Sequence, residues 1–313
     1  MKYFFGLGAA AALLLWPLRL LQSQDLAPRA YIITPVHSNA VTLTYSFSDG
    51  GVSTDNAIPI TDATATLHVP IFNYYHSLKL FGRSANVLAS LPYGVAHYRG
   101  TFRDNETKIY RSGLLDSVFR FSMNLRGGPA MSAKEYQSWK QKTILGVSLR
   151  LVAPTGQYNG TKLINNGSNR WAFKPEFGYS ERWGHWVLDA YAGGWFFTTN
   201  PEFFSHNAFF PGTQTQSQSP IVSFEGHLSY DVRSRLWISL DGNFWHGGST
   251  SSNGIENPAT VQSNSRIGAT GSIPLSKHQS LKVSYSDGTY VRFGGNFQNV
   301  SLAWQYSWLG RPN

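Results

Sequence analysis

Asp116, Arg120, Arg150, Arg170, Lys174, Glu176, Asp189, Glu225 and Asp241 are the side chains that give this chain its chemistry. Each stands where polar and apolar residues alternate, so each shares a strand face with polar rather than greasy neighbours. Asp116 and Arg120, four apart, fall on one such face. Charges set out in this way can line a constriction that selects permeants. They can equally pair with one another and fill a narrow interior. Either way they belong on a water side, because an Arg or Lys facing lipid costs about 2–4 kcal/mol at the midplane. Hydrolytic chemistry is poorly provided for. His227 beside Glu225 and Asp231 is the nearest approach to a catalytic set, and an interior hydrogen-bond cluster explains it better. The nine histidines are scattered, with no His-Glu-x-x-His pair, nucleophile elbow, P-loop or dinucleotide fingerprint. No catalytic residue, metal ligand or cofactor is expected.

The elements that must position these charges are strands. Thr143 to Val152 sets Leu145, Val147, Leu149 and Leu151 on one face against Lys142, Ser148 and Arg150 on the other. In the partner stretch Trp171, Phe173, Phe177 and Tyr179 oppose Arg170, Lys174 and Glu176. The pattern recurs from Ala40 to the C-terminus and predicts about twelve strands. Among them, Ala63, Ala65, Leu67, Val69 and Ile71 read as a lipid face against Thr64, Thr66 and His68. Polar stretches at residues 48–61, 99–112, 154–169, 198–219 and 246–262 read as loops, and residues 73–83 and 126–140 as longer connections. Ser132 with Glu135 resembles a capping box and predicts a short helix there. Closure of the sheet would remove both exposed grease and sticky edges, so the fold class expected is an all-β transmembrane antiparallel barrel. Pro154 to Tyr158 reads as a strand-end turn, and Trp183, Trp186, Trp195, Trp237 and Trp245 as interface anchors.

Composition agrees. Charged residues are 14% of the chain and aromatics 15%, an odd balance for a soluble enzyme but suited to a lipid-facing wall with aromatic girdles. No cysteine is present, which removes disulfides and thiolate metal sites. The net charge of +9 is dispersed, so nucleic acid is not an expected partner. Residues 1–23 (Met1-Lys2, an apolar run, then small polar residues) read as a cleaved signal peptide, 24–39 as an extended periplasmic lead-in and 40–313 as the barrel. The terminal alternation of Trp304, Tyr306 and Trp308 resembles the aromatic signature read by the barrel-insertion machinery, although Leu309 to Asn313 extends beyond it. The partners expected are therefore that machinery, outer-membrane lipid and lipopolysaccharide, and a small permeant.

Longer motifs carry a family resemblance. Ser112-Gly113-Leu114-Leu115-Asp116, Asn124-Leu125-Arg126-Gly127-Gly128-Pro129, Pro154-Thr155-Gly156-Gln157-Tyr158 and Gly167-Ser168-Asn169-Arg170-Trp171-Ala172-Phe173-Lys174-Pro175-Glu176 resemble those of the MetA-pathway family of phenol degradation. The similar region spans roughly Leu43 to the C-terminus. The resemblance implies a Gram-negative outer-membrane barrel concerned with uptake of aromatic or other hydrophobic compounds. The alternative is a non-transporting barrel with a structural or loop-mediated binding role.

Overall fold

A computed structural model describes residues 26–53, 60–102, 105–208 and 210–310. The expected signal peptide lies outside the described residues. The wall begins with β1 (Ser38–Ser53), β2 (Ile60–Leu80), β3 (Arg83–Phe102), β4 (Asn105–Leu114) and β5 (Ser117–Arg126). A short helix α1 (Ala133–Ser138) leads to β6 (Thr143–Ala153), β7 (Ala172–Trp183) and β8 (Trp186–Phe197). After β9 (Gln216–Gln218) come β10 (Ile221–Arg233) and β11 (Leu236–Gly247), then β12 (Thr250–Ser252) and β13 (Ile255–Asn257). The wall ends with β14 (Gln262–Pro274), β15 (Gln279–Val291) and β16 (Gly294–Leu309).

Every pairing is antiparallel, and β16 returns to β1 with Ser38 opposite Leu309 and Ser53 opposite Gly294. β4 and β5 stack end to end along β3, so the thirteen strands of the main sheet make a closed wall of twelve positions. The three short strands β9, β12 and β13 form a separate small sheet over the end that carries the long connections. By the usual arrangement of such barrels, that end is extracellular and the end with tight turns is periplasmic. The tight turn between β2 and β3 is only Phe81-Gly82, both at positive φ. Residues 73–80, expected to belong to a connection, are therefore strand.

Strand lengths explain that difference and a second one. β6 has 11 residues, close to the 9–11 that span a bilayer, whereas β2 has 21. The first four strands must therefore stand well above the lipid on one side of the barrel. On β2, Phe72 and Tyr74 point outward where lipid is met. Higher up, Ala65, Leu67 and Val69 are buried with Ala96 and Phe297 in the interior. The expected lipid face of β2 is thus reversed. The alternation is continuous, but above the membrane the outer face meets water, so the apolar side turns inward. The same reason explains why much of the polar stretches 48–61 and 99–112 is strand, with β1 reaching Ser53 and β4 beginning at Asn105.

Between β4 and β5 the alternation slips by one residue. Leu114 faces out, Leu115 packs inward against the apolar interior cluster, and Phe119 faces out again. A one-residue shift swaps the faces of a strand, as a bulge does. The helix forms where expected, with both hydrogen bonds of the capping box between Ser132 and Glu135.

Candidate functional site in the barrel lumen

The periplasmic half of the lumen holds residues 26–37. Tyr31 and Ile33 are buried there in a cluster with Met131, Ile144 and Tyr191. The expected lead-in therefore runs inside the wall rather than beside it. Backbone groups of this segment are held by barrel side chains. The Arg29 N–H donates to Asp189 at 3.1 Å and the Ala30 N–H to the Tyr191 hydroxyl at 3.0 Å. The Ala30 carbonyl accepts from Arg120 at 3.3 Å, and that of Tyr31 from Asn124 at 3.2 Å. The Arg29 side chain pairs with Asp231 at 2.7 Å and lies over the Trp237 ring. The Tyr31 ring fits where β6 and β7 each carry glycine, Gly146 opposite Gly178, and a Cβ at either position would collide with it.

Above this segment the predicted charges meet. Lys174 contacts Glu176 and Glu225, each at 2.7 Å, and Arg120 reaches Glu176 at 3.6 Å. Glu225 continues to His227 at 3.7 Å and His227 to Asp241 at 2.9 Å. Asp241 also accepts from Ser239 and Thr270. Arg120, Arg150 and Lys174 lie directly opposite one another across β5, β6 and β7. Adjacent strands thus set three cations side by side, and Glu176 and Glu225 bring the opposite charge to Arg120 and Lys174; buried ions persist only when so paired and hydrogen-bonded. Of the nine expected lining residues, Arg120, Arg150, Lys174, Glu176, Glu225 and Asp241 make this layer. Asp189 lies below it, against the N-terminal segment.

Asp116 is elsewhere, and its assignment to the lining is corrected. Its carboxylate accepts from the Gly156 N–H at 2.9 Å and from the N–H and hydroxyl of Ser168 at 2.9 and 2.5 Å. Gly156 and Gly167 abut so closely that a Cβ on either would strike the other's backbone. The Gln157 N–H donates to the Leu114 carbonyl. The motif segments 112–116, 154–158 and 167–168 are therefore one latch, which ties the loop after β6 along the lower part of β4. β6 ends at Ala153, so the loop takes the wall position beside β4 that a strand would otherwise fill.

Arg170 is also apart from the charged layer. It lies at the extracellular end, 2% exposed, with its guanidinium over the Phe197 ring and one nitrogen on the Gln218 amide oxygen. Nearby, Val152, Ala172, Trp195, Ile221 and Trp245 form an apolar cluster inside the wall. Trp195 and Trp245, expected as interface anchors, are inward and buried. Across the lumen is the second apolar patch, built by Ala65, Leu67, Val69, Ala96 and Phe297.

Sequence reasoning missed Arg29, Tyr31 and Arg266. Arg266 is buried and donates to Ser286 and the Phe297 carbonyl. Its placement among Gln262, Asn264, Thr270 and Ser272 on one face of β14 was a usable signal. Arg29 and Tyr31 carry none, because nothing local shows that an extended segment will enter a barrel. Among the described residues no group of His, Asp and Glu is arranged to hold a metal ion.

A closed barrel of twelve positions with apolar residues outside, paired charges inside and tight turns at one end has the fold of outer-membrane barrels. Residues 44–303 match the model of the family described as "Putative MetA-pathway of phenol degradation", and the chain belongs to that family. The crystal structure of an outer-membrane channel from Pseudomonas putida F1 superposes with a TM-score of 0.74 at 18% identity, covering 91% of this chain and 100% of that one. The transport unit of the autotransporter AIDA-I from Escherichia coli superposes with a TM-score of 0.50 at 12% identity, over 96% of this chain and 97% of that one. No curated protein matches the sequence.

Proposed function

We propose that this barrel is a gated facilitator that passes small molecules across the outer membrane and performs no catalysis. The observation that carries the reading is residues 26–37, lodged in the lumen and held by Asp189, Tyr191, Arg120 and Asn124. A barrel with only a structural role has no need to hold a peptide segment against a ring of paired charges. The segment joins the wall at β1 through Ser38, and its contacts are a set of hydrogen bonds, the Arg29–Asp231 ion pair and the buried side chains of Tyr31 and Ile33. Such a tether can leave the lumen without unfolding the sheet. Apolar patches on two sides of the extracellular half suit permeants with hydrophobic surface, in keeping with the known family resemblance to an aromatic-compound pathway. The charged layer below them sets the polar constriction.

Planar-bilayer conductance and liposome swelling test the reading. Wild-type protein should pass small solutes, and removal of residues 26–36 should raise conductance several-fold. A barrel that neither conducts nor speeds solute entry, with or without that segment, overturns the proposal and leaves the structural or loop-binding role in its place.

A further inference from the structure

Among the described residues Arg170 meets no anion. Its Nε and Nη1 groups have no hydrogen-bond partner there, and its contacts are the neutral amide of Gln218 and the face of Phe197. In the charged layer, by contrast, Arg120, Lys174 and His227 each meet a carboxylate. A guanidinium removed from water without a counter-ion carries a penalty of several kcal/mol. The indole N–H of Trp195 is likewise buried and unpartnered. The rings of Phe197 and Trp195 are nearly parallel, 9° apart with centroids 6.4 Å from one another, and the far cation of the stack, Lys174, is 5.9 Å from the Trp195 ring. Ile221 and Trp245 complete the apolar surround.

We infer that this cluster is a binding site for a small aromatic carboxylate. The carboxylate would displace the Gln218 side chain. It would then take a two-pronged hydrogen bond from Nη2 together with Nε or Nη1, the geometry in which guanidinium and carboxylate fit best. The ring would lie among Phe197, Trp195 and Trp245, with offset or edge contacts to them. In this structure the position is covered by β9, whose Gln218 also donates to the Gly248 carbonyl at 3.0 Å. Access therefore requires the small extracellular sheet of β9, β12 and β13 to lift. The site deepens the facilitator reading and rests on it, as the place where a permeant is first held.

Binding to the purified full-length protein in detergent is the test, with benzoate, acetate and benzyl alcohol as probes. Benzoate should bind at least tenfold more tightly than either of the others, because only it offers both charge and ring. Arg170→Met should weaken benzoate at least tenfold and leave benzyl alcohol unchanged. Trp195→Phe, which keeps the ring and removes the N–H, should weaken benzoate about threefold. Heat-modifiable gel mobility checks that each variant is folded. If Arg170→Met does not fold, the wild-type Trp195 indole proton resonance provides the readout, and it should move on benzoate addition. Equal binding of benzoate and benzyl alcohol, unchanged benzoate affinity in folded Arg170→Met, or an unmoved indole resonance overturns the site. Swelling of proteoliposomes with a neutral sugar is measured in parallel. Intact swelling without benzoate binding removes the site alone, and benzoate binding without swelling removes the passage.

Discussion

Gly178→Ala should free the N-terminal segment from the lumen without altering a single charge. A Cβ at this position falls 2.1 Å from Cε2 and 2.5 Å from Cζ of Tyr31, so the ring cannot stay. The backbone of Gly178 is ordinary strand, so alanine is tolerated there in every other respect. Overpacking of this kind costs about 1–3 kcal/mol, and loss of the Tyr31 hydroxyl's hydrogen bond about 0.5–1.5 kcal/mol more. The resulting ~1.5–4.5 kcal/mol raises the undocked fraction roughly 10- to 1,600-fold, at about 1.4 kcal/mol per factor of ten. Because the chain has no cysteine, Ala30→Cys supplies a unique reporter. A membrane-impermeant maleimide should label it slowly in the Ala30→Cys background and at least tenfold faster when Gly178→Ala is added, with conductance rising in parallel. Gly146→Ala, whose Cβ would meet the same ring at 2.4 Å, should act alike. Equal labelling and equal conductance in a folded Gly178→Ala barrel would refute the reasoning that the ring holds the segment in place.

Lys174→Met removes the cation shared by Glu176 and Glu225, leaving them only the longer contacts to Arg120 and His227, and loss of one partner from a buried ion cluster should lower stability by about 3–5 kcal/mol. Adding Glu225→Gln should restore part of it, and a urea-unfolding series that shows no rescue would deny the pairing. Asp116→Ala removes the acceptor for the N–H groups of Gly156 and Ser168, and limited proteolysis within residues 154–168 should become at least tenfold faster, from about 1–3 kcal/mol of lost anchoring. On β2, Phe72→Lys faces lipid and should cost about 2–4 kcal/mol, whereas Thr66→Lys faces water and should cost about 0–1 kcal/mol; equal effects on folding into vesicles would restore the sequence-predicted orientation. The hydrogen bonds from the Ser132 backbone and hydroxyl hold Glu135 below the usual carboxylate range. A depressed folded value means that the cap stabilises above the unfolded value, near 4.3, and is lost as pH falls through the folded one. Amide exchange in residues 133–138 should therefore show less protection at pH 3 than at pH 7 after correction for the intrinsic rate, a difference that Ser132→Ala should reduce and Glu135→Gln should remove.

The sequence by itself determined the wall. Side-chain alternation is a property of each strand's own backbone, so the leucines of residues 145–151 and the charges at Arg150, Lys174 and Glu176 are sorted to opposite faces whatever their neighbours. The number of wall positions, the capped helix at Ser132 and the motifs that mark the family follow from the same local regularities. Which environment each face meets is not local. The outer face of β2 passes from lipid at Phe72 to water at Thr66, and only the height of the strand above the bilayer decides where apolar residues must turn inward. Contacts across the lumen are not local either. They depend on register around a closed sheet, which pairs Lys174 with Glu225, gives Asp116 to a loop latch, and leaves Arg170 alone beside aromatic rings. The entry of Arg29 and Tyr31 into the barrel was least legible of all, because a short segment that turns at residues 28–31 has no periodicity to declare its side. The tertiary structure places it in the lumen, where two glycines on adjacent strands leave space for one tyrosine.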